Sequence, residues 1–293
     1  MANTVQQLPD ILALEPLEHN LFRGRSPRTG FRRVFGGLAI AQALMAAGRT
    51  VEGRAPHSLH AYFLLAGDPE TPIDYQVERI RDGSSFATRR VTAMQHGKAI
   101  LSLAASFHVE EEGFEHQIAM PDVPSPEELL RDHAAREALV ASLPEPARRY
   151  FTRERPVELV PVDLDRYRVP APRPPLFRMW LRCVAPLPSD PLIHRCALAY
   201  ASDMGLLDAA LIPHGRSVFS RSIQAASLDH ALWFHRPFRA DEWILYSQDS
   251  PNANGARGFS RGQFFTRDGT LIASVAQEGL IRKRDPNFEK KKP

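Results

Sequence analysis

The sequence predicts an α+β protein made of two fused copies of one unit, a long buried helix followed by an antiparallel sheet. Three observations lead there. The first is self-similarity: Ile73 to Arg81, Ser84 to Val91, a turn at Gly97 and the run Ala99 to Phe107 return later in the chain. They return as Trp243 to Gln248, Gly258 to Phe264, a turn at Gly269 and the run Leu271 to Ile281. Phe86 is matched with Phe259 and Gly97 with Gly269, while Ile100, Ser102 and Ala104 match Ile272, Ser274 and Ala276 at a constant spacing. Two long copies are too few for a solenoid, so a fused pseudo-dimer is expected.

The second observation is that each copy opens on an apolar segment. Gly37 to Val51 is apolar on more than one face and reads as a buried helix. Leu192 to Leu207 is its partner, with Leu198-Ala199-Tyr200-Ala201 laid over Leu38-Ala39-Ile40-Ala41. The third is the set of strand-like runs after each helix. In the first copy they are His57 to Leu65, Ile73 to Arg81, Ser85 to Gln95 and Ala99 to Val109. In the second they are Gln224 to His235, Trp243 to Gln248, Gly258 to Thr266 and Leu271 to Arg282. The division expected is residues 1–110 for the first copy, 111–165 for a connector with short helices, and 166–293 for the second copy. Ser125-Pro126-Glu127-Glu128 is a strong helix start, and Leu176 to Val184 an extended run after a proline-dense stretch.

Composition narrows the function. With 293 residues and 43% apolar content the chain has ample material for a core. The net charge is +3, and its arginines are scattered rather than clustered, which argues against nucleic acid as a partner. The Lys290 to Lys292 run is expected to be a solvated tail. No uninterrupted apolar run reaches the roughly 18 residues of a membrane span, and Met1 to Pro9 lacks the pattern of a signal peptide, so the cytoplasm is expected. Cys183 and Cys196 are expected to be buried thiols, with no disulfide, no metal site and no cofactor.

Several motifs carry less than they suggest. Gly258-Phe259-Ser260-Arg261-Gly262 matches the G-x-S-x-G elbow, yet no histidine follows Ser260 and the first copy places the equivalent stretch in a strand. Ser227, Asp229 and His230 resemble triad members, but on one continuous strand their side chains would point to alternate faces. His57 and His60, three apart on a strand, face opposite sides and make a poor metal pair.

The informative residue is Asp203. A carboxylate in an almost wholly apolar helix costs several kcal/mol to bury unless hydrogen bonds compensate, and its first-copy counterpart is Ala43. Gln277 shares a strand face with Leu271, Ala273 and Val275, where the first copy has Ala105. Ser227 opens the strand after the helix. Together the acid, the hydroxyl and the amide suit the holding of one water, with the acid taking its proton.

With this constellation the chain resembles the acyl-CoA thioesterase II family. The resemblance rests on Phe35-Gly36-Gly37-Leu38-Ala39-Ile40-Ala41-Gln42-Ala43, on His57 to Leu64, on Arg81-Asp82-Gly83 with Phe86 and Thr88-Arg89, on Ala199-Tyr200-Ala201-Ser202-Asp203, on Ser227-Leu228-Asp229-His230 with Trp233 to Phe238, and on Gln277-Glu278-Gly279. It implies a double hotdog, two fused copies of a long central helix wrapped by an antiparallel sheet. It also implies hydrolysis of acyl-CoA to free acid and CoA without cofactor, with Asp203, Ser227 and Gln277 activating the water. Relatives carry Thr where this chain has Ser227, a change that keeps the hydroxyl. Gly36 and Gly37 are candidates for substrate contacts, and a homodimer or homotetramer is the expected assembly. Two alternatives remain open at this point: a hotdog enoyl-CoA hydratase or dehydratase, and a catalytically silent acyl-CoA-binding protein.

Overall fold

The computed structural model describes residues 7–27 and 33–284, so the Lys290 to Lys292 run and Met1 to Gln6 lie outside the described residues. In the first copy a short helix α1 (Leu8–Leu12) precedes strands β1 (Glu15–Glu18) and β2 (Leu21–Gly24). The central helix α2 (Gly36–Gly48) follows, then β3 (Ala55–Phe63), β4 (Ile73–Asp82), β5 (Phe86–Gln95) and β6 (Lys98–His108). The connector holds α3 (Pro126–Leu130), α4 (His133–Ala141) and α5 (Glu145–Thr152). In the second copy come β7 (Val157–Pro161), β8 (Leu176–Cys183), α6 (Pro191–Ser202), α7 (Leu206–Leu211), β9 (Ile223–Ser227), β10 (Asp229–Phe234), β11 (Ile244–Asn254), β12 (Arg257–Thr266) and β13 (Leu271–Lys283).

All thirteen strands form one antiparallel sheet in the order β1-β2-β4-β5-β6-β3-β10-β13-β12-β11-β8-β7, with β9 paired to β13. The two halves of that order mirror each other about the β3–β10 seam. There His60 faces Ala231, with Ser58 opposite Trp233 and Tyr62 opposite Asp229, so a pseudo-twofold axis passes between the copies. The two central helices pack on each other and on the sheet, and almost every residue of α2 is buried. The double-hotdog architecture is therefore present. Two strands precede each helix, β1–β2 in the first copy and β7–β8 in the second, and of these β8 alone was expected, as the extended run Leu176 to Val184. Short polar edge strands such as β1 carry too little apolar periodicity to stand out in sequence.

The repeat is more regular in space than in residue identity. Tyr75 and Tyr246 occupy equivalent strands and reach equivalent helix positions: the first donates to the Gln42 side chain, the second to the Ser202 carbonyl. A register shift recurs at Ala93/Met94 and Phe264/Phe265. Gly97 and Gly269 both take positive φ in their hairpins, which bears out their match. The match of Phe86 with Phe259 is corrected. At the spacing that relates Ser102 to Ser274, His108 corresponds to Leu280; β5 sets Phe86 opposite His108, whereas β12 sets Arg257 opposite Leu280. Arg257 is thus the counterpart of Phe86. Aromatic identity misled because both rings lie near a strand start.

Two breaks matter for the site. The helix expected over Leu192 to Leu207 ends at Ser202, with Asp203 as its C-cap, and resumes at Leu206 after Gly205 at φ +78°. The strand expected over Gln224 to His235 is interrupted at Leu228, whose N–H donates to the Glu278 carbonyl. By length and composition Pro191–His214 would suffice to cross a membrane, but 83% of its apolar window is buried inside the fold, as befits a central helix. Both cysteines are free and buried, and desolvation pushes Cys183 up to about 12 and Cys196 up as well. A Cβ on Gly205 would meet the Phe177 ring at 2.8 Å, on a backbone that only glycine adopts without strain. Gly205→Ala is therefore expected to cost about 1–3 kcal/mol in denaturant unfolding and to disturb the Asp203 loop.

Candidate active site

The site forms where the second copy's broken helix meets the start of the first copy's intact one. Asp203 is half-buried, and each of its oxygens is held. Oδ2 accepts the Gly37 N–H at 3.0 Å, and Oδ1 accepts the Ser227 hydroxyl at 3.1 Å. Gln277 Nε2 donates to Ser227 Oγ at 3.0 Å. Asp203, Ser227 and Gln277, far apart in sequence, thus meet as one cluster. Glycine is required at the contact, since a Cβ on Gly36 would lie 2.6 Å from Asp203 Oδ2 and 2.8 Å from the Phe63 ring. For Gly36 and Gly37 the structure shows close approach to this carboxylate.

Beyond Gln277 the network continues to a residue that strand alternation had set aside. His230 Nδ1 is 2.6 Å from Gln277 Oε1, and its Nε2 is 2.8 Å from Ser202 Oγ. The break at Leu228 is the reason. It separates Ser227 and His230 onto two strands, so both reach Gln277, and rules for one continuous strand do not apply. No triad results, because the Asp229 carboxylate accepts the Glu278 N–H. The sequence signals for His230 were its place in Ser227-Leu228-Asp229-His230 and its sharing of one face of β10 with the apolar Leu232 and Phe234.

Donor and acceptor chemistry fixes the direction of this chain. Burial lowers the His230 pKa to about 4, so the ring is neutral. Its Nδ1 faces a carbonyl oxygen and must carry the proton, which leaves Nε2 as an acceptor for the Ser202 hydroxyl, whose one proton also has the Ala199 carbonyl within reach at 2.9 Å. Gln277 then presents its NH₂ to Ser227; a reversed amide would place two acceptors around a hydroxyl with one proton. From His230 Nδ1 onward every bond therefore points toward Asp203. Desolvation raises the Asp203 pKa to about 6, and the Ser227, Gly37 and Gln277 donors oppose that rise. A carboxylate poised there is ionised at neutral pH and still basic enough to take a proton from water.

Beside the cluster lies a largely apolar cavity of about 180 Å³, walled by Phe35, Tyr150, Tyr167, Phe177, Leu207 and Phe219, with Asp203 and Ser227 on its surface. Among the described residues no group of three or more His, Cys, Asp or Glu could hold a metal ion. His57 instead contacts Ser106 Oγ, and His60 packs edge-on to Trp233. Ser260 sits within β12, fully buried and opposite Gln277, with no hydrogen-bond partner for its hydroxyl. Its flanking glycines serve packing: a Cβ on Gly258 would strike Ala210 and one on Gly262 the Tyr246 ring.

Two family models match the chain, "Acyl-CoA thioesterase N-terminal domain" over residues 23–108 and "Acyl-CoA thioesterase" over residues 147–280. Acyl-CoA thioesterase 2 of Haemophilus influenzae is 41% identical over 96% of this chain and 99% of its own length. The chain belongs to the acyl-CoA thioesterase family. Human acyl-coenzyme A thioesterase 8 is 42% identical over 96% of the chain and 90% of its own length. Among solved structures, the acyl-CoA thioesterase II of Mycobacterium marinum superposes with a TM-score of 0.77 at 42% identity, covering 95% of this chain and 98% of that one. A hot dog protein of unknown function from Alicyclobacillus acidocaldarius, 19% identical with a TM-score of 0.71 over 95% of this chain and 98% of its own, shares the fold.

Two outcomes are expected from the thioesterase site. Ser260→Ala removes a buried hydroxyl without a partner, so hydrolysis should stay within about twofold and stability should hold or rise slightly. Asp203 has a folded pKa above its unfolded one, so its charge costs stability that is absent below about pH 4 and grows as pH rises through about 6. Discounted for partial exposure, Asp203→Asn should raise unfolding stability by about 1–2 kcal/mol at pH 8 and by much less at pH 4, in paired urea titrations.

Proposed function

We propose that the chain hydrolyses acyl-CoA thioesters to a carboxylic acid and free CoA, with Asp203 as general base and Ser227 and Gln277 positioning the water. The observation that carries this reading is the carboxylate held against the start of α2, with a pKa of about 6, on the wall of an apolar cavity. The water oxygen attacks the thioester carbonyl carbon while its proton passes to Asp203. The tetrahedral intermediate then collapses, the C–S bond breaks, and the departing thiolate takes the proton back from Asp203. No cofactor enters this sequence of steps. The oxygen that gains charge needs a donor, and the Gly36 N–H in the first turn of α2 is the nearest candidate, aided by the helix dipole. The cavity would take the acyl chain. His230 is a positioning residue, since it touches Gln277 and not the water.

The cytoplasm and a homodimer or homotetramer belong to the same proposal. Tyr62, Leu64 and Leu65 expose apolar surface near the end of β3, which suits burial against a second copy.

The experiment is release of free thiol from a panel of acyl-CoA thioesters. The native protein should turn over with a kcat/KM that rises with pH through about 6 as Asp203 ionises. Asp203→Asn should fall by about two or more orders of magnitude in kcat while remaining folded. Near-native turnover in the folded variant would remove Asp203 from the role of base, and hydration of an enoyl-CoA in place of thiol release would replace the reaction.

A further inference from the structure

A second passage adjoins the site. A cavity of about 80 Å³ shares Phe35, Tyr150 and Met204 with the acyl cavity, and its wall carries Arg33, Arg153 and Arg155. Arg153 and Arg155 also line a wider outer groove of about 490 Å³. These arginines therefore stand between the reacting centre and the surface. Three cations share the wall of the smaller cavity, and among the described residues no carboxylate lines it. The Arg155 guanidinium lies over the Tyr150 ring, 4.3 Å from its centroid, and its Nε donates to the Arg153 carbonyl. Neither Arg33 nor Arg155 forms a salt bridge among the described residues.

The cost of this arrangement points to an anion. Arg153 is partly desolvated and stands beside another cation, Arg155, and both effects lower its pKa. Like charges held together at a cavity wall are maintained at an electrostatic cost that an incoming anion relieves. Guanidinium groups suit phosphate oxygens through paired N–H donors. The narrow passage leading inward past Phe35 and Met204 suits an uncharged, slender chain instead.

We propose that Arg33, Arg153 and Arg155 form the subsite for the phosphate-bearing nucleotide end of the thioester substrate, with the uncharged pantetheine arm threading the smaller cavity to Asp203. This rests on the thioesterase reading. It goes further in naming which arginines discriminate a phosphorylated carrier from a phosphate-free thioester of the same acyl group.

The test compares acyl-CoA with acyl-pantetheine, which keeps the arm and lacks the phosphates, in the native protein and in the Arg33→Ala/Arg153→Ala double variant. The variant should raise KM for acyl-CoA about tenfold or more, as expected for lost charge-assisted contacts, and raise KM for acyl-pantetheine, whose arm only passes the same wall, several-fold less. Added salt should raise KM only for native protein acting on acyl-CoA. An equal effect on both thioesters, or none on acyl-CoA, would overturn the subsite. Arg33→Met alone, at an exposed position, repeats the comparison should the double variant misfold. Should native protein hydrolyse neither thioester, the hydrolase reading fails, and titration with adenosine 3′,5′-bisphosphate decides the subsite by itself: binding that the variant loses supports it, and binding unchanged or absent removes it.

Discussion

The contact between Asp203 and the Gly37 N–H is the constraint on which the site depends. It joins the copies at one point, and three separate features must agree for it to exist. Helix α6 must stop at Ser202 so that Asp203 leaves the helical path, Gly205 must supply the left-handed turn, and α2 must begin on glycines that leave room for the carboxylate. The chemistry follows from the balance these features set. Desolvation disfavours the charge, while the unsatisfied amides and positive dipole end of α2 favour it. The resulting pKa of about 6 is a compromise between them.

The same contact is made on one side of the pseudo-twofold only. On the helix overlay, the reverse of Asp203 against Gly37 is Ala43 against Ala197. Ala197 is the seventh residue of α6, whose helix starts at Pro191, so its N–H is engaged within the helix. A carboxylate at position 43 would find no free amide there. The asymmetry therefore lies in where each helix begins and ends as much as in which residues are polar. Gln42 shows the alternative use of a buried polar position in the first copy. It accepts from Tyr75 and donates to the Ile11 and Arg25 carbonyls, tying the helix to the N-terminal segment.

The fold was legible because periodicity and repetition are properties of many residues at once. Most strands after each helix fall within a few residues of their expected limits, although β11 runs on to Asn254 instead of Gln248 and the strand expected over Gln224 to His235 is split, and the polar exceptions at Asp203, Ser227 and Gln277 meet in one cluster. What escaped was set by single backbone events. A helix broken at Gly205 still reads as continuous, since Leu206 and Leu207 keep the apolar pattern on the far side. The interruption at Leu228 is equally silent, because Ser227-Leu228-Asp229-His230 alternates like an unbroken strand. His230 was lost with it. The arginines at the cavity mouth could not be singled out either, since Arg33 and the Arg153–Arg155 pair are brought together only by the path of the connector.

The chain from His230 through Gln277 and Ser227 to Asp203 runs one way, while the Ser202 hydroxyl at its far end lies between the Ala199 carbonyl and His230 Nε2. A buried polar network that is fully satisfied specifies one arrangement, whereas removing one member leaves its neighbour's polar atom uncompensated in a low-dielectric interior. With its Nδ1 proton on Gln277 Oε1, the neutral ring of His230 supports the amide orientation that turns the NH₂ toward Ser227. Ser227 is thereby committed to donate to Asp203, which steadies the carboxylate while leaving it accessible from the cavity. The network engages the hydroxyl of Ser227, and it depends on the helix break at Asp203 and on the glycine start of α2, which bring the two copies into contact.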